Sequence, residues 1–179
     1  MMSLKKTLLV TTLLVTSGFV LPANAASPAT ATFQVLIVIQ KACTVTAGAS
    51  SNINLGTVAS TALNTTGSNT ISVTCSKTTP YFVGLAPSAA NGGTTTGSGA
   101  MSTADALPGN TDKVPYQLSS TPGPSGTIWG NTATTTTVGN GVTGTGTGTA
   151  QALTVYATAA TANFTPDSYA DTVTVNVNF

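Results

Sequence analysis

The sequence predicts an all-β fold, an antiparallel β-sandwich, and three observations carry that prediction. Few windows show a 3.6-residue apolar period, so helix signals are nearly absent. Thr, Val, Ser, Gly and Asn dominate instead, which favours strands and turns. Apolar and polar residues then alternate in about seven or eight short runs with turn signals between them, the pattern of strands that each bury one face.

The runs begin after an expected export signal. Met1–Lys6 carries Lys5 and Lys6, Thr7–Leu21 is apolar and uncharged, and Pro22–Ala25 reads PANA, an Ala-x-Ala cleavage pattern. An apolar run of about 15 residues is short of the ~20 that a bilayer span needs. The expected organisation is a signal over 1–25, with cleavage near Ala25, and no membrane span after that cleavage.

Next comes TFQVLIVIQKAC, Thr32–Cys43, the most hydrophobic run of the mature chain. Phe33, Val35, Ile37 and Ile39 share one parity, and Leu36 and Val38 make the other face apolar as well. Strands are then predicted around Ile53–Val58 and at Ile71–Cys75, Tyr81–Leu85, Val114–Leu118, Thr127–Gly130 and Leu153–Tyr156. The last, DTVTVNVNF, is the clearest: Val173, Val175, Val177 and Phe179 alternate with Thr172, Thr174, Asn176 and Asn178, as in a half-buried strand of a two-sheet sandwich. Asn91–Ala100 (NGGTTTGSGA) has no apolar face and reads as an exposed loop, and Gly139–Thr149 reads as a weak edge strand or a loop. No repeat period and no linker divides the mature chain.

Composition excludes several functions. The chain has no His, and its five cationic residues are all Lys, its four acidic residues all Asp. After signal cleavage Lys41, Lys77 and Lys113 face Asp105, Asp112, Asp167 and Asp171, a side-chain net of −1. There is no basic face for nucleic acid. His-dependent nucleophile activation and His-based metal sites are impossible, and the scattered Asp residues read as turn residues. No catalytic residue, metal or cofactor is assigned, and the chain does not read as an enzyme. Two cysteines in an exported chain, Cys43 and Cys75, read first as a disulfide, worth about 3–4 kcal/mol in the chain-entropy picture.

Both ends of the mature chain are thus strongly apolar strands without the Lys or Pro that usually protects an edge, and no further strand is expected after Phe179. Such an edge is normally an aggregation hazard, and the hazard itself reads as the function.

A set of landmarks runs in order through the chain: CTV (Cys43–Val45), NLG (Asn54–Gly56), ISVTC (Ile71–Cys75), TPYFVGL (Thr79–Leu85), PYQL (Pro115–Leu118), IWG (Ile128–Gly130), LTVYA (Leu153–Ala157) and SYADTVTVNVNF (Ser168–Phe179). In these the chain resembles the spore coat U domain family, the subunit type of archaic chaperone–usher pili such as the Csu pili. The resemblance implies an incomplete immunoglobulin-like sandwich completed by strand donation. It implies three partners: a periplasmic pilus chaperone, an outer-membrane usher and neighbouring subunits in an open heterologous polymer.

Carried onto this chain, it makes 26–42 a donor extension, with Ala31, Phe33, Val35, Ile37 and Ile39 along the donor strand, and 43–179 the sandwich domain. Val173, Val175, Val177 and Phe179 flank the acceptor groove and form the strand that a chaperone contacts. Asp167 stands where the family commonly has a Gly before the Ser/Thr-Tyr element. The expected function is a pilus subunit at the cell surface, serving adhesion and biofilm formation. The alternatives are a secreted or tip-located surface- or glycan-binding adhesin, and a spore or cell-coat protein. Trp129, the single Trp, sits in a landmark where core packing is its expected role.

Overall fold

A computed structural model describes residues 27–104 and 109–179. The expected signal over 1–25 and Asp105 lie outside the described residues. The chain separates into two units, Met1–Val38 and Ile39–Phe179. The described part of the first has no regular strand or helix, and the side chains of Phe33, Val35, Leu36, Ile37 and Val38 are exposed, at 82–88%.

The described residues of the second unit contain nine strands: β1 (Cys43–Thr46), β2 (Leu63–Cys75), β3 (Pro80–Pro87), β4 (Ser98–Thr103), β5 (Lys113–Ser119), β6 (Val142–Thr145), β7 (Ala150–Thr161), β8 (Tyr169–Ala170) and β9 (Val173–Asn178). Among the described residues the helical pieces are two single 3₁₀ turns, Ala49–Ser51 and Ala89–Asn91. A six-stranded sheet has the order β1-β2-β7-β5-β4-β8, and a three-stranded sheet the order β6-β3-β9. Every strand pair is antiparallel.

The alternation read from the sequence is what fills the space between the sheets. Ile71, Val73 and Cys75 of β2, Leu118 of β5 and Val155 and Ala157 of β7 meet Tyr81, Val83 and Leu85 of β3 in one core. Trp129 joins them almost fully buried, and its indole Nε1 donates to the Val83 carbonyl at 2.8 Å. That satisfies the one polar atom that the ring carries into the core. Cys43 and Cys75 are bonded to each other and lie directly opposite in the β1–β2 register.

Three local expectations are corrected. Residues 53–58 form no ladder; Ile53, Asn54 and Leu55 lie against Gly67 of β2. Residues 127–130 contribute a single bridge, Ser119↔Ile128, before crossing to the other sheet, where the Leu85 N–H donates to the Gly130 carbonyl. Asn91–Ala100 is not all loop, since Ser98–Ala100 begin β4 and Gly97 and Gly99 are buried. Gly97 has φ +78°, and a Cβ there would lie 2.1 Å from the Trp129 carbonyl oxygen, so this glycine admits a close approach that no other residue allows. Of the two readings of Gly139–Thr149, the strand holds for β6, an edge strand paired to β3.

The disulfide generates a test. Substituting both cysteines (C43S with C75S) is expected to lower stability by about 3–4 kcal/mol, measured by urea unfolding of the wild type and the double variant. An unchanged midpoint would remove the disulfide from the list of stabilising features.

Candidate functional site

The site grows from an asymmetry in β9. One edge of β9 is paired to β3, from Phe82↔Asn178 to Pro87↔Val173. Its other edge has no strand partner among the described residues. Beside that edge lies a groove of about 490 Å³. Its floor is core: Ile71, Leu85, Leu118, Val155 and Ala157, all buried. Val173 and Val175 line it from β9, and Ile53 and Leu55 line it from the segment between β1 and β2.

That segment is positioned by particular residues. A Cβ at Gly67 of β2 would fall 2.8 Å from the Asn54 carbonyl and 3.0 Å from both Ile53 and Leu55, so the missing side chain lets the segment lie against the strand. Asn69, two residues on, donates through Nδ2 to the carbonyls of Ser50 and Asn52 at 3.0 and 2.7 Å. In NLG the Asn54 side-chain carbonyl accepts from the Gly56 N–H at 2.8 Å, a local turn that ends the extended stretch. Alternation alone suggested a strand here; the structure uses the same apolar residues as groove lining.

Toward the start of β9 the groove turns polar. Tyr169 and Asp171 line it where the chain crosses from β8 to β9. The Tyr116 hydroxyl donates to Asp171 Oδ2 at 2.7 Å, and Asn91 Nδ2 donates to Oδ1 at 2.8 Å. Burial first, then the hydrogen bond to Asp171 and its charge, push the Tyr116 phenol far above its ordinary range. The other two described Asp residues lie in connections between strands. Asp112 accepts from the Thr165 N–H and hydroxyl, which holds its carboxyl below the usual range. Asp167 accepts from the Ser168 N–H at 2.8 Å and from Asn110 at 2.9 Å.

The four β9-face residues named from the sequence are therefore split. Val173 and Val175 line the groove, while Val177 and Phe179 pack beside the core beyond it. Lys41 Nζ stands 6.0 Å from the centre of the Phe179 ring, a weak cation–π contact. Ile53, Leu55, Asn69, Tyr116 and Asp171 were not singled out as site residues by the sequence. For Asp171 its parity with Val173 and Val175 was the available signal.

These features define an all-β sandwich with an open strand edge over an apolar groove. A profile of the Spore Coat Protein U domain matches residues 29–176, and the chain belongs to that family. No curated protein matches the chain. Among solved structures it is similar to a chain in the crystal structure of the CsuC–CsuE chaperone–tip adhesion subunit pre-assembly complex from archaic chaperone–usher Csu pili of Acinetobacter baumannii. The identity is 20% and the TM-score 0.49, over 79% of this chain and 40% of that one, so this chain spans well under two thirds of its length.

The Tyr116–Asp171 bond generates two expectations. Y116F is expected to lower stability by about 1.5–3 kcal/mol, the range for a hydrogen bond to a charged group, read from urea unfolding at neutral pH. The raised phenol also fixes a pH dependence. Above pH 10.0, the ordinary tyrosine value, the unfolded chain loses the Tyr116 proton while the folded chain keeps it. Stability is therefore expected to be full below that pH and to fall above it, and less steeply in Y116F. A wild-type profile flat up to pH 11 would contradict the assignment.

Proposed function

We propose that this chain is a structural subunit of a chaperone–usher pilus. In this reading residues 1–25 direct export through the periplasm, 26–42 are the donor extension, and 43–179 are the acceptor domain. The observation that carries it is the apolar groove beside the unpaired edge of β9. An incoming strand meets two needs there at once. Its backbone pairs with β9, and its alternate side chains fill the floor.

The donor is residues 31–39 of a second copy. Four of its side chains, Phe33, Val35, Ile37 and Ile39, share a face and are 81–88% exposed, an unusual state for large apolar groups. Burying each contributes roughly 1.5–3 kcal/mol, or about 6–12 kcal/mol together before ordering costs. During export a periplasmic chaperone lends the groove a strand and contacts β9. An outer-membrane usher directs assembly, and the extension of the next copy replaces the chaperone's strand. Donor and acceptor are different surfaces, so the contact is heterologous and grows an open fibre at the cell surface. The fibre serves adhesion and biofilm formation.

The test is genetic and biochemical. The mature chain alone is expected to polymerise on refolding, and co-expression with its chaperone to give a soluble 1:1 complex. Deleting Phe33–Ile39 is expected to leave a subunit that accepts a strand but cannot donate one, so that growth stops at it. Fibres carrying the deleted subunit in their interior would sink the donor assignment.

A further inference from the structure

The groove and the extension each carry one charged side chain. Among the described residues Asp171 is the single charged residue lining the groove, and Lys41 is the single charged residue of the sequence 26–42. The Asp171 carboxylate accepts from two neutral donors, Tyr116 and Asn91, which leave its charge uncompensated and some lone pairs free. Lys113 donates to the Ala90 carbonyl at 3.0 Å. Among the described residues Asp171 has no salt-bridge partner.

We propose that Lys41 of a second copy pairs with Asp171 and so fixes the orientation and register of the inserted strand. The inference rests on the strand-donation reading above. Residues directly opposite on antiparallel strands present their side chains to one face. Laid antiparallel along the open edge of β9, Phe33 meets Phe179, Val35 meets Val177, Ile37 meets Val175 and Ile39 meets Val173. Lys41 then falls opposite Asp171. Each alternative loses something. A slip of two residues one way sets Ile39 against the Asp171 carboxylate, and the other way sets the Lys41 ammonium against Val173. A parallel strand matches the same apolar residues but carries Lys41 past Phe179 and leaves Ala31 beside Asp171. Apolar periodicity alone permits all of these, and the ion pair selects one.

The experiment uses a fluorescent peptide of residues 28–42 and the full chain refolded in its presence, with dissociation rates measured by competition. Peptide K41E on the wild-type chain, or wild-type peptide on D171K, is expected to leave about fivefold faster, and the two together to return to the wild-type rate. The difference is expected to shrink in 1 M salt. Oxidative cross-linking adds a geometric readout: peptide I37C is expected to bond V175C and not V177C. Rates indifferent to both charge changes, or a cross-link at V177C, overturn the proposed register. If binding is then still abolished by peptide I37D, the strand-donation reading stands without it. If no peptide binds at all, both fall together.

Discussion

A strand edge that lies over an open apolar floor has two unmet demands, unpaired backbone groups and uncovered side chains, and one incoming strand satisfies both. The other free edges in this fold avoid that combination. β1 and β6 are four residues long and β8 only two, as short edges that resist pairing are. β9 is six residues long, and the floor beside it belongs to the same core that holds the two sheets together. The site is therefore not an addition to a finished sandwich. It is the part of the sandwich core left open beside β9.

The segment between β1 and β2 shows how such an opening is kept. Without Asn69 holding two of its carbonyls and without the space left at Gly67, Ile53 and Leu55 would have no fixed position over the floor. The polar end is fixed as firmly, because Asn91 and Tyr116 reach Asp171 from separate parts of the chain. An apolar channel with rigid sides and one charged end discriminates among strands better than a flat sticky surface does.

What could be read from the sequence follows from how each element is stabilised. β3, β5 and β7 bury one face or both and β9 half-buries its apolar face, so their alternation was plain, as was the pairing of Cys43 with Cys75. β2 was legible only over Ile71–Cys75, because its first half, LNTTGSNT, has polar residues on both faces and is held by pairing to β7. β4 begins with Ser98 and Gly99, where buried Gly97 makes room for the Trp129 carbonyl and Gly99 for the side chains of Pro87 and Tyr116, and neither leaves an apolar pattern. The link between the groove's two polar anchors was not legible for a different reason. Asp171 and Tyr116 lie far apart in sequence, and nothing local to either announces the other.

The disulfide has a mechanical meaning as well as a thermodynamic one. Cys43 is the first residue of β1, and Cys75 the last residue of β2, directly opposite it. A pull on the chain ahead of Cys43, along the strand axis, need not unzip β1 one bond at a time. The S–S link hands the load to the end of β2, which is paired to β7 from Leu63 to Thr74. The tension then acts lengthwise on a long ladder, where many hydrogen bonds must shear together before any one gives way.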